Sequence, residues 1–326
     1  MRAITYTEYG PPDVLQLSEV PTPVPKDHEV LIRIRAASVN PLDWHYMRGT
    51  PTFIRALTGL RKPKVTRLGR DVAGQVEVVG KTVTQFQPGA EVFGTCQGAF
   101  AEYACASEDV FALKPANVTF EQAAAVPIAA FTALQSLRDK GRIQPRQKVL
   151  INGAAGGVGT FAVQIARVFE ADVTGVCSSR NVDMVRSIGA NHVVDYTRED
   201  FTRNGLRYDV IVDCVGNHSL SDGRRALTTG RTLVLVGGQD EGRWLGPLTG
   251  ALKVFVLSRF VRQKLLLFLA HLSKDDLIVM RELLETGRVT PVIDRSYPLR
   301  DVPSAIRYLE EGHARGKVVI TMDHQG

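Results

Sequence analysis

The most constraining feature of the chain is a glycine-rich turn between an apolar strand and a helix. Residues 149–151 form a short apolar run, glycines follow at 153, 156 and 159, and a helical pattern continues to Ala166. This order exposes the amides of a helix N-terminus beside a strand end, the geometry that binds a pyrophosphate. The GxxGxxG spacing is less common than GxGxxG, and the alternative is a turn that only packs helix on strand. The predicted contacts are Asn152, Gly153, Gly156, Gly157, Val158 and Gly159.

Strands alternate with helices from about residue 121 onward, which predicts βαβ units on a parallel sheet. The predicted strands are Lys148–Ile151, Asp172–Cys177, His192–Asp195, Tyr208–Asp213, Arg231–Val236 and Lys253–Leu257. Six such strands suit a complete doubly wound Rossmann domain. Ligands bind at the carboxyl edge of these sheets, which adds Val215, Gly216, Asn217, Gly237 and Gly238 as candidates, although each is equally compatible with an ordinary turn.

The end of the second predicted strand indicates which dinucleotide is bound. NAD-binding domains carry Asp or Glu about 20 residues beyond the glycine turn, where the carboxylate binds the ribose 2′-hydroxyl. Here the strand ends in Ser178, Ser179 and Arg180. Two hydroxyls and a guanidinium favour a 2′-phosphate, so the sequence predicts NADPH. The alternative is that Arg180 is only a solvated residue at a helix start.

Composition and charge set the remaining bounds. Forty Lys and Arg against 34 Asp and Glu leave a net charge of +6, which favours anionic ligands without resembling a basic nucleic-acid-binding tail, so nucleic acid is not an expected partner. Four scattered cysteines do not form a disulfide framework, and the N-terminus has no targeting pattern, so a cytoplasmic location is expected. Cations interrupt the apolar segment 244–272, so no membrane span is expected.

The two ends of the chain have a different pattern of predicted secondary structure from its middle. The first third reads as short strands, including Val30–Arg35 and Val72–Val79, separated by prolines and glycines. The tail predicts a helix capped by Ser273, a strand near Pro291–Asp294, a helix over Pro303–Glu311 and a last strand over Lys317–Thr321. Because the tail is too short for a domain of its own, we expect it to complete the N-terminal one.

Motifs spread over essentially the whole chain carry a family resemblance. They are Ser38–Asp43, Gly69–Gly74, Pro88–Gly94, Ala99–Tyr103, the glycine turn and Gly312–Lys317. The chain resembles the medium-chain dehydrogenase/reductase superfamily, in its zinc-independent quinone oxidoreductase-like branch. The resemblance implies a GroES-like, mostly β catalytic domain from residues 1–122 and 266–326, a Rossmann NADP-binding domain at 123–265, and a homodimer.

The same resemblance bears on the metal. Where the zinc alcohol dehydrogenases of the superfamily carry Cys and Gly-His-Glu, this chain has Asn40 and Gly69-Arg70-Asp71. Catalytic zinc needs three Cys, His or carboxylate ligands, so no metal site is expected. Without a Lewis acid, the acceptor must already be electrophilic. The sequence therefore predicts hydride transfer from NADPH to quinones or α,β-unsaturated carbonyls; the alternatives are an alcohol dehydrogenase-like enzyme and a non-catalytic nucleotide- or RNA-binding relative.

Candidate catalytic residues follow the first long strand. Asn40 can donate through its amide, and Tyr46 can donate or relay a proton through its phenol. Asp43, if buried, is expected to hold an arginine or a backbone amide rather than to act as an acid. In the family, the Asn of this loop lies near the nicotinamide, and that position is carried over to Asn40. The alternative for the three residues is a capped turn.

Other positions are carried over from the family or from the C-terminal segment. The resemblance places Thr132 near the nicotinamide ribose and Tyr196 near the adenosine phosphate. Arg315 and Lys317 are candidates for closing over the phosphates, with ordinary surface chemistry as the alternative. The basic stretch 61–70 is interpreted as a solvated loop; a contact to an acidic substrate group, a partner or nucleic acid is the alternative.

Overall fold

The computed structural model describes residues 1–236 and 262–322. The chain divides into two compact units, the first made of Met1–Ala129 and Leu272–Gly326 and the second of Ala130–His271. The predicted domains, 1–122 with 266–326 and 123–265, follow the same order along the chain.

Seven strands of the first unit come from the N-terminal part of the described chain. They are β1 (Arg2–Thr5), β2 (Gln16–Glu19), β3 (Glu29–Val39), β4 (Asp71–Val79), β5 (Glu91–Thr95), β6 (Tyr103–Ser107) and β7 (Phe111–Leu113). β3 pairs antiparallel with both β4 and β6, β5 adds to β4, and β7 adds to β5. β3 runs beyond the predicted Arg35 because Ala36 to Val39 are buried and continue the ladder with β4. This extension carries the chain to Asn40.

The second unit contains a parallel sheet. Its described strands are β8 (Lys148–Asn152), β9 (Asp172–Cys177), β10 (His192–Asp195), β11 (Tyr208–Asp213), β12 (Leu227–Leu235) and β13 (Lys264–Leu267). Every pair is parallel, in the order β10-β9-β8-β11-β12-β13, which is 3-2-1-4-5-6 when the strands are numbered within the unit. This order is that of a doubly wound dinucleotide-binding fold, so the predicted fold class is confirmed.

Strand boundaries in the second unit follow the prediction with two differences. β12 begins at Leu227, four residues before the predicted Arg231, because Leu227 already pairs with Tyr208 across an irregular register. The predicted strand Lys253–Leu257 lies outside the described residues. The strand beside β12 in the described chain is Lys264–Leu267 instead.

Helices connect the strands on both units. The described helices are α1 (Pro41–Arg48), α2 (Ile54–Thr58), α3 (Phe120–Ala124), α4 (Pro127–Gln135), α5 (Gly157–Val168), α6 (Val182–Ser187), α7 (Leu220–Arg225), α8 (Lys274–Glu285) and α9 (Val302–Glu310). The predicted cap of α8 is confirmed, because Ser273 Oγ accepts from the Asp276 N–H at 3.2 Å. Within residues 1–236 and 262–322, no helix is both long and apolar enough to cross a bilayer.

The tail completes the first sheet. β14 (Ile293–Pro298) pairs parallel with β15 (Lys317–Thr321), and β15 pairs antiparallel with β3. β14 starts later than the predicted strand near Pro291 and extends to Pro298. Because Val318 lies opposite Val39 in this register, the sheet brings Lys317 beside the end of β3.

Candidate functional site

Asn40 and Asp43 fix the junction between β3 and α1. The Asn40 N–H donates to Asp43 Oδ2 at 2.8 Å, and the Asp43 N–H donates to the Asn40 carbonyl at 3.0 Å. Asp43 Oδ1 also accepts from the Gly69 N–H at 3.0 Å. Asp43 is 2% exposed, so its carboxylate holds two backbone amides from separate segments, as the sequence predicts for a buried aspartate.

Asp71, at the start of β4, is the most heavily bonded carboxylate of this region. Its Oδ2 accepts from Ser38 Oγ and from Asn40 Nδ2, each at 2.9 Å. Its Oδ1 accepts from the Ile128 N–H at 3.0 Å. Asp71 is fully buried, and these donors offset part of the cost of removing its charge from water.

Lys317 supplies the counter-charge. Its Nζ lies 3.5 Å from Asp71 Oδ2 and donates to Asn40 Oδ1 at 2.7 Å and to the Val39 carbonyl at 3.3 Å. Lys317 is 3% exposed, so an ammonium and a carboxylate are paired in the interior of the first unit. We call Asn40, Asp43, Asp71 and Lys317 the buried cluster.

Burial shifts the ionisation of this cluster. It raises the pKa of Asp43 from 3.8 to about 6, and the N–H donors of Asn40 and Gly69 oppose that rise. Burial lowers the pKa of Lys317, whereas the carboxylates of Asp71 and Asp43 act in the opposite direction. Because burial raises its pKa to about 6, Asp43 gains a proton on mild acidification.

The cluster shows which partners Asn40 and Lys317 have in this structure. The Asn40 amide donates to Asp71 and to the Ser38 carbonyl, at 3.4 Å, and its oxygen accepts from Lys317. The sequence analysis predicts that Asn40 donates through its amide, and in this structure that amide donates within the cluster and positions the start of α1. The Lys317 ammonium has three acceptors, which all lie in the first unit.

Tyr46 lies one helical turn beyond Asp43 on α1. It is half-buried, and its ring packs against the hydrophobic core of the first unit. Tyr6 is 2% exposed, and its hydroxyl has no hydrogen-bond partner within the described part of the chain. Burial raises the pKa of Tyr6 far above its usual range, and the neighbouring Tyr9, Asp43 and Tyr46 add to the rise. Three phenols and one carboxyl group therefore lie close together.

The glycine turn of the second unit has the geometry of a phosphate cradle. Gly153 has φ +83°, which a side chain rarely adopts. A Cβ on Gly159 would lie 2.0 Å from the Gly153 carbonyl, so this glycine allows the helix to pack on the turn. A Cβ on Gly156 would meet only that carbonyl, at 3.4 Å, so the backbone there borders open space. α5 begins at Gly157 with Val158 in its first turn, and no described side chain caps it. These residues fit a pyrophosphate.

A second polar network stabilises the carboxyl edge of the sheet. Asn152 Nδ2 donates to Asp213 Oδ1 at 2.8 Å and to Asn217 Oδ1 at 2.9 Å. Asp213 Oδ1 also accepts from the N–H groups of Val215 and Gly216, at 3.0 and 2.8 Å. The predicted residues Asn152 and 215–217 therefore come together through Asp213. Sequence reasoning missed Asp213, although a carboxylate at the end of an apolar strand was a usable signal.

The residues predicted to contact the adenosine half of the cofactor lie just beyond the ends of β9 and β10. Ser179 and Arg180 are exposed, and Asn181 Nδ2 donates to Ser178 Oγ at 3.2 Å. Tyr196 is 57% exposed and follows β10, with its N–H bonded to the Cys177 carbonyl. Asp195, which the sequence analysis did not single out, lies beside Ser179.

The remaining predicted positions are dispersed. Thr132 lies on α4 and is 8% exposed. Arg315 is an exposed residue of the first unit, and its N–H donates to Asp294 Oδ2 at 2.9 Å. Gly237 and Gly238 lie outside the described residues.

Comparison with known proteins identifies the family. Residues 26–116 match the alcohol dehydrogenase GroES-like domain, and residues 188–320 match the family described as zinc-binding dehydrogenase. The chloroplast envelope quinone oxidoreductase homolog of Arabidopsis thaliana is 31% identical over 98% of both chains. The chain belongs to the medium-chain dehydrogenase/reductase superfamily, in its quinone oxidoreductase-like branch.

Two further relatives span this chain almost completely. The 2-methylene-furan-3-one reductase of Solanum lycopersicum is 35% identical over 98% of this chain and 79% of its own. The quinone oxidoreductase of Escherichia coli, solved in complex with NADPH, superimposes with a TM-score of 0.83 and 25% identity, covering 98% of this chain and all of its own. The chain is accordingly a medium-chain oxidoreductase with a fold that binds a nicotinamide nucleotide.

The residues around Asn40 do not fit the zinc that one family description implies. Catalytic zinc takes thiolate, imidazole or carboxylate ligands. Here Asn40 offers an amide already bonded to Asp71 and Lys317, and Arg70 precedes Asp71 where a histidine would be needed. Nowhere in residues 1–236 or 262–322 are three or more His, Cys, Asp or Glu side chains grouped to hold a metal ion.

Proposed function

We propose that this medium-chain family member is an NADPH-dependent reductase that transfers a hydride to quinones or α,β-unsaturated carbonyl compounds without a metal ion. The proposal is supported by an observation in each unit: the second has an open glycine cradle, and the first has a buried cluster that leaves no zinc ligand set at Asn40 and Asp71. A cofactor that donates hydride and a site without a Lewis acid require an acceptor that is electron-poor by itself.

The cradle supports a dinucleotide. The space beside Gly156 and the uncapped start of α5 provide backbone N–H groups and the positive end of a helix for a pyrophosphate. The hydrogen bonds of Asn152 and Asp213 hold the neighbouring strand ends in place. When bound, the reduced nicotinamide supplies the hydride.

The choice of NADPH rests on Arg180. Its guanidinium is exposed just beyond β9, and Ser178 precedes it with a hydroxyl that accepts from Asn181 and so retains its own O–H for donation. A charged guanidinium and a hydroxyl suit a 2′-phosphate.

We assign the acceptor's contacts to α1 and its neighbours. Hydride addition to a quinone or enone places negative charge on the acceptor oxygen, which a positioned O–H donor stabilises. The phenol of Tyr46 is the proposed donor, and Asn40 and Asp43 position α1 by holding its first turn to Gly69 and Asp71. The names of the relatives agree with this acceptor class, since a 2-methylene-furan-3-one carries a C=C bond conjugated to a carbonyl.

The test is a spectrophotometric assay of NADPH oxidation against a panel of quinones and enones, with EDTA present throughout. We expect turnover above the enzyme-free rate with at least one acceptor. The matched control is Gly156→Val, which removes the cradle, should abolish the turnover and should leave folding intact. Absence of turnover on every acceptor, together with salt-sensitive RNA binding, would instead support the non-catalytic alternative.

We also propose a homodimer and a cytoplasmic location, in keeping with the sequence. Light scattering coupled to size-exclusion chromatography decides the first, since a monomer has a mass of 35.7 kDa.

A further inference from the structure

Asp195 brings a carboxylate to the end of β9 from the neighbouring strand. β9 itself ends in Cys177 and is followed by Ser178, Ser179 and Arg180. Because these residues include no carboxylate, the sequence predicts NADPH. In the parallel register of β9 and β10, Asp195 lies opposite Cys177. Its side chain is 13% exposed, so a largely buried acidic group borders the region assigned to the adenosine ribose.

Two hydroxyl groups donate hydrogen bonds to the Asp195 carboxylate. Ser179 Oγ donates to Asp195 Oδ2 at 2.5 Å, and Thr197 Oγ1 donates to Oδ1 at 2.7 Å. The Thr197 N–H adds a bond to Oδ1 at 3.0 Å, and Arg198 Nε lies 3.5 Å from Oδ2. These donors, with Ser179 first, hold the pKa of Asp195 below its usual range, so the group is an anion.

This arrangement limits what Ser179 offers to a ligand. A serine hydroxyl has one hydrogen and two lone pairs. Ser179 Oγ lies 2.5 Å from Asp195 Oδ2 and 2.9 Å from Thr197 Oγ1, and the shorter, charge-assisted bond directs its hydrogen to Asp195. Ser179 therefore accepts a hydrogen bond, as a ribose 2′-hydroxyl would give, and does not donate one, as a 2′-phosphate would require. The Asp195 charge also opposes a phosphate nearby.

We infer that Asp195 is a specificity-determining residue that weakens binding of the 2′-phosphate and thereby allows this site to accept NADH alongside NADPH. The inference rests on the nucleotide site proposed above. Arg180 attracts the phosphate, Asp195 opposes it, and the balance of the two sets the preference.

The test measures dissociation constants of NADPH and NADH by their fluorescence on titration, so it does not depend on turnover. Asp195→Asn removes the charge and offers its own N–H to Ser179, which frees the Ser179 hydrogen for a phosphate. We expect the Kd for NADPH to fall roughly fivefold or more, with the Kd for NADH changed less than about twofold. An unchanged ratio, or weaker NADPH binding, would overturn the inference.

The matched control is Asp172→Asn at the opposite end of β9, about 16 Å away along the strand, which changes the net charge equally. It should leave both constants unchanged, and an effect equal to that of Asp195→Asn would attribute the change to net charge and overturn the inference.

Ser179→Ala tests the inference independently, and it can be used even if Asp195→Asn does not fold. Because Ser179 donates to Asp195, its loss should leave the NADPH Kd within about twofold of the wild type. A roughly tenfold weakening would mean that Ser179 binds the phosphate, contrary to the inference. Wild-type protein that binds nucleotide but reduces no acceptor would refute the proposed reductase activity and leave this comparison intact.

Discussion

Replacement of Lys317 by methionine removes the only described ammonium near the buried carboxylate of Asp71. The Nζ atom lies 3.5 Å from Asp71 Oδ2, and both residues are almost inaccessible to solvent. Methionine keeps most of the aliphatic volume of lysine, so the change deletes the charge and its hydrogen bonds more than the packing. Asp71 keeps its bonds from Ser38, Asn40 and the Ile128 amide.

The distance between the two charges sets the expected loss of stability. Two unit charges 3.5 Å apart interact by about 4–5 kcal/mol at an effective dielectric constant of about 20. Removing one partner of a buried pair typically costs about 3–5 kcal/mol, because the other charge stays buried and unpaired. We therefore expect Lys317→Met to lower the free energy of unfolding by about 3 kcal/mol or more.

Urea denaturation followed by circular dichroism measures this change. The matched variant is Asp71→Asn combined with Lys317→Met, which removes both charges and should recover at least half of the loss. A nucleotide titration on Lys317→Met adds a second readout, and the Kd for NADPH should stay within about twofold of the wild type. A loss of stability below about 1 kcal/mol would show that Lys317 does not stabilise the buried Asp71 charge, and a tenfold weaker NADPH affinity would indicate that Lys317 binds the phosphates.

Three further predictions address the cradle, the phosphate and the pH dependence. Gly156→Val should weaken NADPH binding by about 100-fold or more with little change in thermal stability, because the valine side chain would fill the space that the pyrophosphate needs. Normal NADPH binding by this variant would show that the glycine turn does not hold the pyrophosphate. Arg180→Ala should raise the KM for NADPH roughly tenfold and spare that for NADH in steady-state assays, and equal losses would contradict the 2′-phosphate contact. Since the pKa of Asp43 rises on folding from 3.8 to about 6, its contribution to the free energy of unfolding is largest below pH 4. This contribution falls by about 3 kcal/mol in total as the pH rises through and above 6. Asp43→Asn should remove that slope in urea titrations at several pH values, and an unchanged slope would assign the titration elsewhere.

Local sequence signals were sufficient for most of the second unit. Short apolar runs bounded by glycine and charged residues predicted β8 to β11 to within a residue, because buried parallel strands read as continuous apolar segments. The start of β12 was missed because residues 227–230 are polar or glycine apart from Leu227, and their pairing depends on the neighbouring strand. The short tail and the family resemblance predicted that the tail completes the N-terminal domain. The pairing of β15 with β3 was not predicted, because no local pattern specifies which distant strand a tail will join.

Side-chain partners were less predictable than the elements that carry them. The glycine cradle could be interpreted from consecutive residues, whereas Asp71 and Lys317 are 246 positions apart and meet only through the first sheet. The same applies to Asp195, whose position beside Ser179 depends on the register of two adjacent strands. The sequence alone indicated donors at Asn40 and Ser179 but not their partners in this structure, because neither the buried cluster nor this register is visible in one segment.

Isotope transfer tests whether the hydride passes directly from NADPH to the acceptor without a metal ion. The protein would be incubated with NADPH carrying deuterium at the transferable C4 position and an α,β-unsaturated ketone, in the presence of EDTA. We expect a saturated product with one deuterium on the β-carbon, identified by mass spectrometry and nuclear magnetic resonance. Product without the label, or reduction that stops when the chelator is added, would contradict direct hydride transfer without a metal.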